Sequence, residues 1–442
     1  MFRSSYLFLL SLCFFTISAT AQENGKSLSL DDAIKASLNN NKSVQIATIE
    51  KEISAAGYKQ TDAIFLPQVN FSYTAMSTNN PLNAFGFKLQ QKSISATDFN
   101  PDLLNHPDGT PDFTTKLEVQ QPLVNMDMIY MRKAAAAQVE IYSHKLERTK
   151  EYITFEVSKA YLQLQLAYDA VNVLEDALKT VNAVYKFTDD HFQQGLIQKS
   201  DVLNVQVQVA SVESNLQKAK SNIKNASDYI SLMMGEPTGT IYKANPADGN
   251  EIITSVTDTS YIPASRADFL AMSKAVEAKN LVIQSNKMSM FPKLNAFGSF
   301  QYNDNRLFGF GANAYLAGIQ LSWDIFKGNR TRNIISTQTL ERNKLQSELE
   351  QQKAQSNLEL NKTKQDIIDA QFDISQYKKA VEQSSEALRI LQNRYTQGLV
   401  NTTDVMMAAT QLSQQKLALA QAIFNQHVSN AYLQFLTATE NK

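Results

Sequence analysis

The feature that most limits what this chain can fold into is a tandem repeat. Phe65-Leu66-Pro67-Gln68-Val69-Asn70 returns as Met290-Phe291-Pro292-Lys293-Leu294-Asn295, 225 residues later. Phe192-Gln193-Gln194-Gly195-Leu196 returns as Tyr395-Thr396-Gln397-Gly398-Leu399, and Asp201-Val202 as Asp404-Val405, both at a spacing of 203. The stretches 121–124 and 323–326 align at 202. The first copy therefore carries about 23 additional residues between its two strands, within Ser77 to Asp112. Pro81, Pro101, Pro107, Gly109 and Pro111 give that segment the chemistry of a long loop. Each copy reads helix–strand–loop–strand–helix–turn–helix, and a unit of this kind buries its apolar faces against its neighbour.

These offsets set the expected organisation. The first repeat covers 22–234, with strands at about 66–76 and 113–124 and a tip turn at about 191–200. A linker, 235–263, holds Pro237, Gly239, Pro246, Gly249 and Pro263. The second repeat covers 264–442, with strands at about 292–303 and 314–326 and a tip turn at about 394–403.

The long segments have a period near 3.5. Ile153, Val157, Ala160, Leu164, Ala167, Val171, Leu174, Leu178, Val181 and Tyr185 alternate spacings of four and three. After Gly195 the pattern resumes at Val202 and runs through Val205, Val209, Val212, Leu216, Ala219, Ile223, Ala226 and Ile230. Ala370, Ile374, Tyr377, Val381, Leu388, Leu391 and Tyr395 repeat it, with Ser384 interrupting. Such a repeat predicts coiled-coil helix pairs. One helix over 134–190 would be about 85 Å long.

The strands follow a period of two. Val69, Phe71, Tyr73 and Ala75 alternate with Gln68, Asn70, Ser72 and Thr74, and the stretch from Phe113 to Gln120 does likewise. Leu294, Ala296, Gly298, Phe300 and Tyr302 form a third apolar row, where Phe297 breaks the polar set; Tyr315, Ala317, Ile319, Leu321 and Trp323 form the fourth. Segments of about ten residues with this alternation fit transmembrane barrel strands. They also fit amphipathic strands covering a soluble core. Four strands cannot close a barrel, because the smallest transmembrane barrels have about eight. An open edge in lipid leaves unpaired backbone groups at several kcal/mol each. The barrel reading therefore requires two or more copies.

The N-terminus favours that reading. Arg3, the apolar run Tyr6 to Ile17 and Ala19-Thr20-Ala21 form a secretory signal peptide over 1–21, so the expected mature chain begins at Gln22. Leu precedes Cys13 and the apolar run continues past it, which argues against a lipidation site. No later segment reaches the length of an apolar transmembrane helix, so any membrane crossing falls to β-strands.

Composition excludes other classes. Lys+Arg is 42 and Asp+Glu 43, without the basic excess a nucleic-acid binder uses against phosphates. One cysteine and four scattered histidines, at 106, 144, 191 and 427, leave little for a metal site. No Ser/His/Asp arrangement and no phosphate-cradling glycine loop is present, so no enzyme and no cofactor is expected.

The paired Leu-Pro and Phe-Pro strand starts, the paired Gly195-Leu196 and Gly398-Leu399 turns and the Asp-Val pairs after them resemble the TolC-like outer-membrane efflux proteins. The resemblance covers about Leu28 to Leu436. It implies a mostly α chain with transmembrane β: a homotrimer, with a twelve-strand β-barrel built from four strands per chain and continued by a coiled-coil α-helical barrel in the periplasm. It implies an exit duct of a tripartite efflux or secretion system, with a periplasmic adaptor (membrane fusion) protein, an inner-membrane efflux transporter and outer-membrane lipid as partners. The rival expectation is a periplasmic coiled-coil adaptor or interaction protein without a channel. Adaptors, however, normally carry one helical hairpin flanked by soluble β-domains.

Residues at the two turns then acquire roles. Gly195 and Gly398 supply the left-handed backbone of a tight helix reversal. Leu196, Ile197, Leu399 and Val400 form an adaptor-docking patch or simply cover the hairpin ends. Asp201 and Asp404 begin helices, where a carboxylate favours the N-terminal dipole. The resemblance also places Asp404 in an acidic ring at the tunnel entrance, and Tyr395 and Asp201 in a gate lock. The chain departs from the family pattern twice: Met407 stands where a second ring aspartate falls, and Val400 where the lock has an arginine. Trp323, the only tryptophan, is expected in the periplasmic aromatic girdle, against a soluble-core role. Phe85, Phe87, Phe308 and Phe310 either plug the outer mouth or pack the interstrand loops.

Overall fold

The computed structural model describes residues 25–244 and 261–439. The expected signal peptide (1–21, with Cys13) and residues 245–260 of the expected linker lie outside the described residues. In chain order the elements are β1 (Lys26–Leu28), α1 (Leu30–Asn40), α2 (Lys42–Gln60), β2 (Gln68–Thr78), α3 (Pro81–Gln90), α4 (Pro101–Asn105), β3 (Thr110–Val124), α5 (Met126–Gln193), α6 (Lys199–Met234), β4 (Tyr242–Ala244), α7 (Ala267–Met288), β5 (Lys293–Asp304), β6 (Ala312–Ser322), α8 (Arg330–Thr396) and α9 (Thr402–Thr437). The repeat is written in the helix lengths: α5 has 68 residues and α8 67, while α6 and α9 have 36 each. Among the described residues, no helix is long and apolar enough to cross a membrane.

The chain forms two compact units, one of residues 25–36, 157–244 and 373–424 and the other of 37–156, 261–372 and 425–439. In the first, helical stripes make the core. Val157, Leu164, Val205, Ile230 and Val405 are fully buried. The α5 stripe shifts near its end: Ala177, Val181, Val184 and Thr188 are buried, whereas Tyr185 is half-buried and accepts a hydrogen bond from Gln206 at 3.1 Å. The inward row steps by three twice in succession, Val171–Leu174–Ala177, and so falls one residue before the position that an unbroken alternation of four and three gives. The described start of the expected linker takes part in the fold. Gly235 caps α6 in the left-handed region (φ 69°), and β4 pairs in parallel with β1.

The second unit contains an antiparallel sheet in the order β2-β3-β5-β6. The two repeats meet at β3–β5, with Leu117 opposite Phe300 and a register shift between Pro122 and Val124. Paired residues share a face, and the register collects one chemistry on each. Phe71, Leu117, Phe300 and Tyr315 lie in one cross-strand row; Val69, Val119, Gly298 and Ala317 lie in the next. The opposite face carries Ser72, Lys116 and Gln301 in one row and Asn70, Glu118 and Ser299 in another. Phe297, which with Leu316 breaks the polar face, is opposite Gly318 and lies over it, where a Cβ would sit 2.9 Å from Cζ. Among the described residues, most of the apolar face is uncovered: Phe71 is 67% exposed and Ile319 68%.

The segment read as a loop folds as α3 and α4, with a 3₁₀ turn between them. Both helices start at an Asn-Pro pair. Asn80 accepts from the Asn83 amide at 3.2 Å and Asn100 from the Asp102 amide at 3.0 Å, with Pro81 and Pro101 at the first helical position. The interstrand aromatics pack locally: Phe85 edge-on to Phe99, Phe308 stacked on Tyr73 with centroids 5.2 Å apart, and Phe310 edge-on to Tyr302.

The same unit fastens the end of α9. Arg266, 1% exposed, is paired with Asp268, donates to Ser356 Oγ at 2.7 Å and to the Leu436 carbonyl, and lies 4.1 Å from the Phe269 ring centre.

Candidate functional site

The two helix reversals fold alike because both sequences carry glycine at the same capping position. At the first, the Leu196 amide donates to the His191 carbonyl at 2.9 Å and the Gly195 amide to Phe192 at 2.8 Å. At the second, Leu399 donates to Arg394 at 3.0 Å and Gly398 to Tyr395 at 2.9 Å. This six-to-one and five-to-two pattern is a Schellman cap, with Gly195 at φ 77° and Gly398 at φ 73°. Gly398→Val is expected to cost the tip about 1–2 kcal/mol, the price of left-handed backbone for a residue with a Cβ. Faster amide exchange across 394–403 would register it, and unchanged exchange would contradict it.

The four apolar residues after the glycines divide. Leu196 and Leu399 are 64% and 69% exposed. Ile197 and Val400 are half-buried, and Val400 packs on a cluster of Val184, Leu388, Tyr395, Val405 and Ala409. Each tip thus presents one leucine and folds the next residue inward.

Tyr395 lies at the centre of that cluster, 8% exposed. Its hydroxyl is 2.8 Å from Thr188 Oγ1 and 2.9 Å from Thr402 Oγ1, so α5, α8 and α9 meet at one buried chain of three hydroxyls. Thr188 passes the chain on to the Val184 carbonyl at 2.7 Å. The structure brings Tyr395 to Thr188 and Thr402, both absent from the sequence-based site. Val400, where the resemblance would put an arginine, adds an apolar wall to this cluster and no charge.

Asp201 and Asp404 occupy equivalent places in the first turns of α6 and α9. In α9 the capping oxygen belongs to Asn401, which accepts from the Asp404 amide at 2.9 Å. Sequence reasoning missed Asn401, although Asn three residues before an acidic first-turn position is a start signal. Asp201 lines a groove of about 420 Å³ between α6 and α9, with Asn204, Gln208, Thr402, Met406 and Met407. Met407 is 67% exposed, and Gln208 donates to Thr410 Oγ1 at 3.0 Å across the helix pair.

Trp323 falls one residue beyond β6, 57% exposed, and its indole donates to the Met290 carbonyl at 2.8 Å. Phe65, Phe291 and Phe326 at the same strand ends are also more than half exposed.

The outer membrane efflux protein family matches residues 33–236 and 261–439. The chain belongs to that family. Among its relatives, the probable outer membrane lipoprotein SilC of Salmonella typhimurium is 22% identical over 265 residues, covering 58% of this chain and 52% of the relative. The cation efflux system protein CusC of Escherichia coli O157:H7 is 22% identical over 269 residues, covering 59% and 53%. The chain thus spans about half the length of these relatives. Solved folds match it more completely: CusC superposes with a TM-score of 0.77 at 17% identity over 93% of this chain and 92% of the other. VceC from Vibrio cholerae superposes with a TM-score of 0.74 at 18% identity, over 93% and 97%. The fold of the efflux protein is therefore mostly α, with four barrel-type strands per chain and two tandem repeats.

Proposed function

We propose that three copies of the chain form an outer-membrane duct, the exit of a tripartite efflux or secretion system. Twelve strands close one β-barrel against outer-membrane lipid, and the long helices enclose a tunnel in the periplasm. One observation carries this reading: a four-stranded sheet, largely apolar on one face and polar on the other, with both outer edges, β2 and β6, unpaired among the described residues. In lipid those edges need partners, because each unsatisfied backbone group costs several kcal/mol. Pairing β6 of one copy with β2 of the next satisfies both, turning the apolar rows to lipid and the amides and hydroxyls to water. Trp323 then belongs to the periplasmic aromatic girdle.

The duct catalyses nothing in this reading and needs no cofactor. It supplies a water-filled path, while an inner-membrane transporter supplies energy and a periplasmic adaptor seals the joint. Leu196 and Leu399, exposed at the tips, dock the adaptor; Ile197 and Val400 hold the hairpin ends beneath them. The gate comprises Asp404, Asp201 and Tyr395, with Tyr395 holding its tip through packing and hydroxyl bonds. Asp404 from three copies makes a ring that favours cations.

Electron microscopy and bilayer recording of the detergent-purified protein test this. A three-fold particle that conducts is the expected result. A monomeric, non-conducting particle would overturn the duct and leave the adaptor reading. In the conducting protein, Asp404→Asn is expected to lower cation selectivity; an unchanged reversal potential in a salt gradient would remove Asp404 from the ring.

A further inference from the structure

The first repeat inserts residues 79–109 between its strands, where the second has only 305–311. α3 packs on β3 and β6, so it crosses the sheet at the loop end. Its side of the sheet is fixed by what it covers. Gln91 donates to Asp112 Oδ1 at 2.9 Å and to the Pro111 carbonyl at 2.8 Å. Asp112 also accepts from Thr114 at 2.6 Å and from Asn303 at 3.1 Å. Asp112, Asn303 and Ala312 are 0%, 1% and 2% exposed, and the strand register puts all three on the polar face.

The insert is also braced internally. Lys88 of α3 pairs with Asp98 at 2.7 Å, and the Ser95 amide donates to the same carboxylate. The Lys88 ammonium and these Ser95 donors hold the Asp98 carboxyl down to about 2. Meanwhile Leu82, Leu89, Phe99 and Leu103 are 81%, 54%, 61% and 55% exposed.

We propose that residues 79–109 form an inward-folded lid over the outer mouth of the barrel, latched to the wall by the buried Asp112 carboxylate, which limits the size of solutes that pass. This rests on the duct reading, in which the polar face lines the lumen. A buried carboxylate with three hydrogen-bond donors and no cation among them fixes one position of α3 rather than a mobile loop. Three copies place three such helices across one mouth, so pore width there is set by the insert and not by the strands.

A single cysteine reports it. Cys13, the chain's only cysteine, lies in the expected signal peptide, so Ser72→Cys, on the polar face, introduces the one thiol of the mature protein. Intact cells are treated from outside with a small maleimide and with one carrying a bulky polyethylene glycol. With the insert present, the small reagent reacts and the bulky one is excluded. Replacing 79–109 by the sequence of 305–311 is expected to raise the bulky reagent's rate about tenfold, and Asp112→Ala, which keeps the insert but frees its latch, to raise it less. Equal bulky rates with and without the insert, or with and without the latch where the replacement does not assemble, would overturn the lid. Ile319→Cys, on the apolar face, separates the two readings. If it reacts with the small reagent while Ser72→Cys does not, the faces are reversed and the barrel assignment fails together with the lid.

Discussion

Ile319→Arg is expected to abolish the assembled protein, whereas Leu316→Arg, three residues earlier on the same strand, leaves it intact. Both side chains are exposed in the single chain, at 68% and 63%, and β-propensity hardly distinguishes them. The strand register does. Ile319 is opposite Ala296 in the apolar set, and Leu316 is opposite Ser299 in the polar set. An arginine facing lipid near the bilayer midplane costs about 2–4 kcal/mol per chain, hence roughly 6–12 kcal/mol in a trimer, while a lumen-facing one meets water. A cost of that size exceeds what most assemblies tolerate. The check is the fraction of each variant that fractionates with the outer membrane and migrates as an oligomer on a mild gel. Normal assembly of Ile319→Arg with loss of Leu316→Arg would mean that the sheet presents its other face to lipid.

That contrast rests on a pattern the sequence displays openly. Alternation along Val69–Ala75 and Leu294–Tyr302 is local, so strand identity and faces are readable without tertiary information. The matching offsets of the two tips made their equivalence readable too, because glycine at φ above zero is a backbone requirement met by very few residues. The insert was legible in place but not in form. Its Pro and Gly content masks two short helices, although Asn80-Pro81 and Asn100-Pro101 each combine a cap residue with proline at the first helical position. Strict alternation of four and three puts Tyr185 inward, one position off, because the buried row takes two successive steps of three at Val171–Leu174–Ala177. Hydroxyl partners such as Thr188 and Tyr395 lie on different helices far apart in sequence, and Asp112 and Asn303 on different repeats. Only the register of packed elements brings such pairs together, and neither residue type announces burial.

Tyr395→Ala is expected to loosen the second tip while leaving the sheet unchanged. Truncating a buried aromatic ring costs about 3–5 kcal/mol where the site cannot collapse, and here the ring is enclosed by Val184, Leu388, Val405, Ala409 and Phe187. Thr188 keeps its bond to the Val184 carbonyl, but Thr402, 9% exposed, loses its tyrosine partner. Losing a partner from a buried hydroxyl adds about 1–3 kcal/mol. Hydrogen exchange should therefore accelerate through 393–405, since local opening has its own free energy, while exchange in β2, β3, β5 and β6 stays as in the parent. Tyr395→Phe separates packing from polarity. It keeps the ring and is expected to show a smaller acceleration, about the hydroxyl share alone. If both variants leak ions in bilayers in proportion to their exchange rates, the tyrosine gates by holding its own tip together. Were Tyr395→Phe to leak fully while its tip exchanged as slowly as the parent, the hydroxyl would be acting on a neighbouring copy, and the intrachain account of the gate would fall.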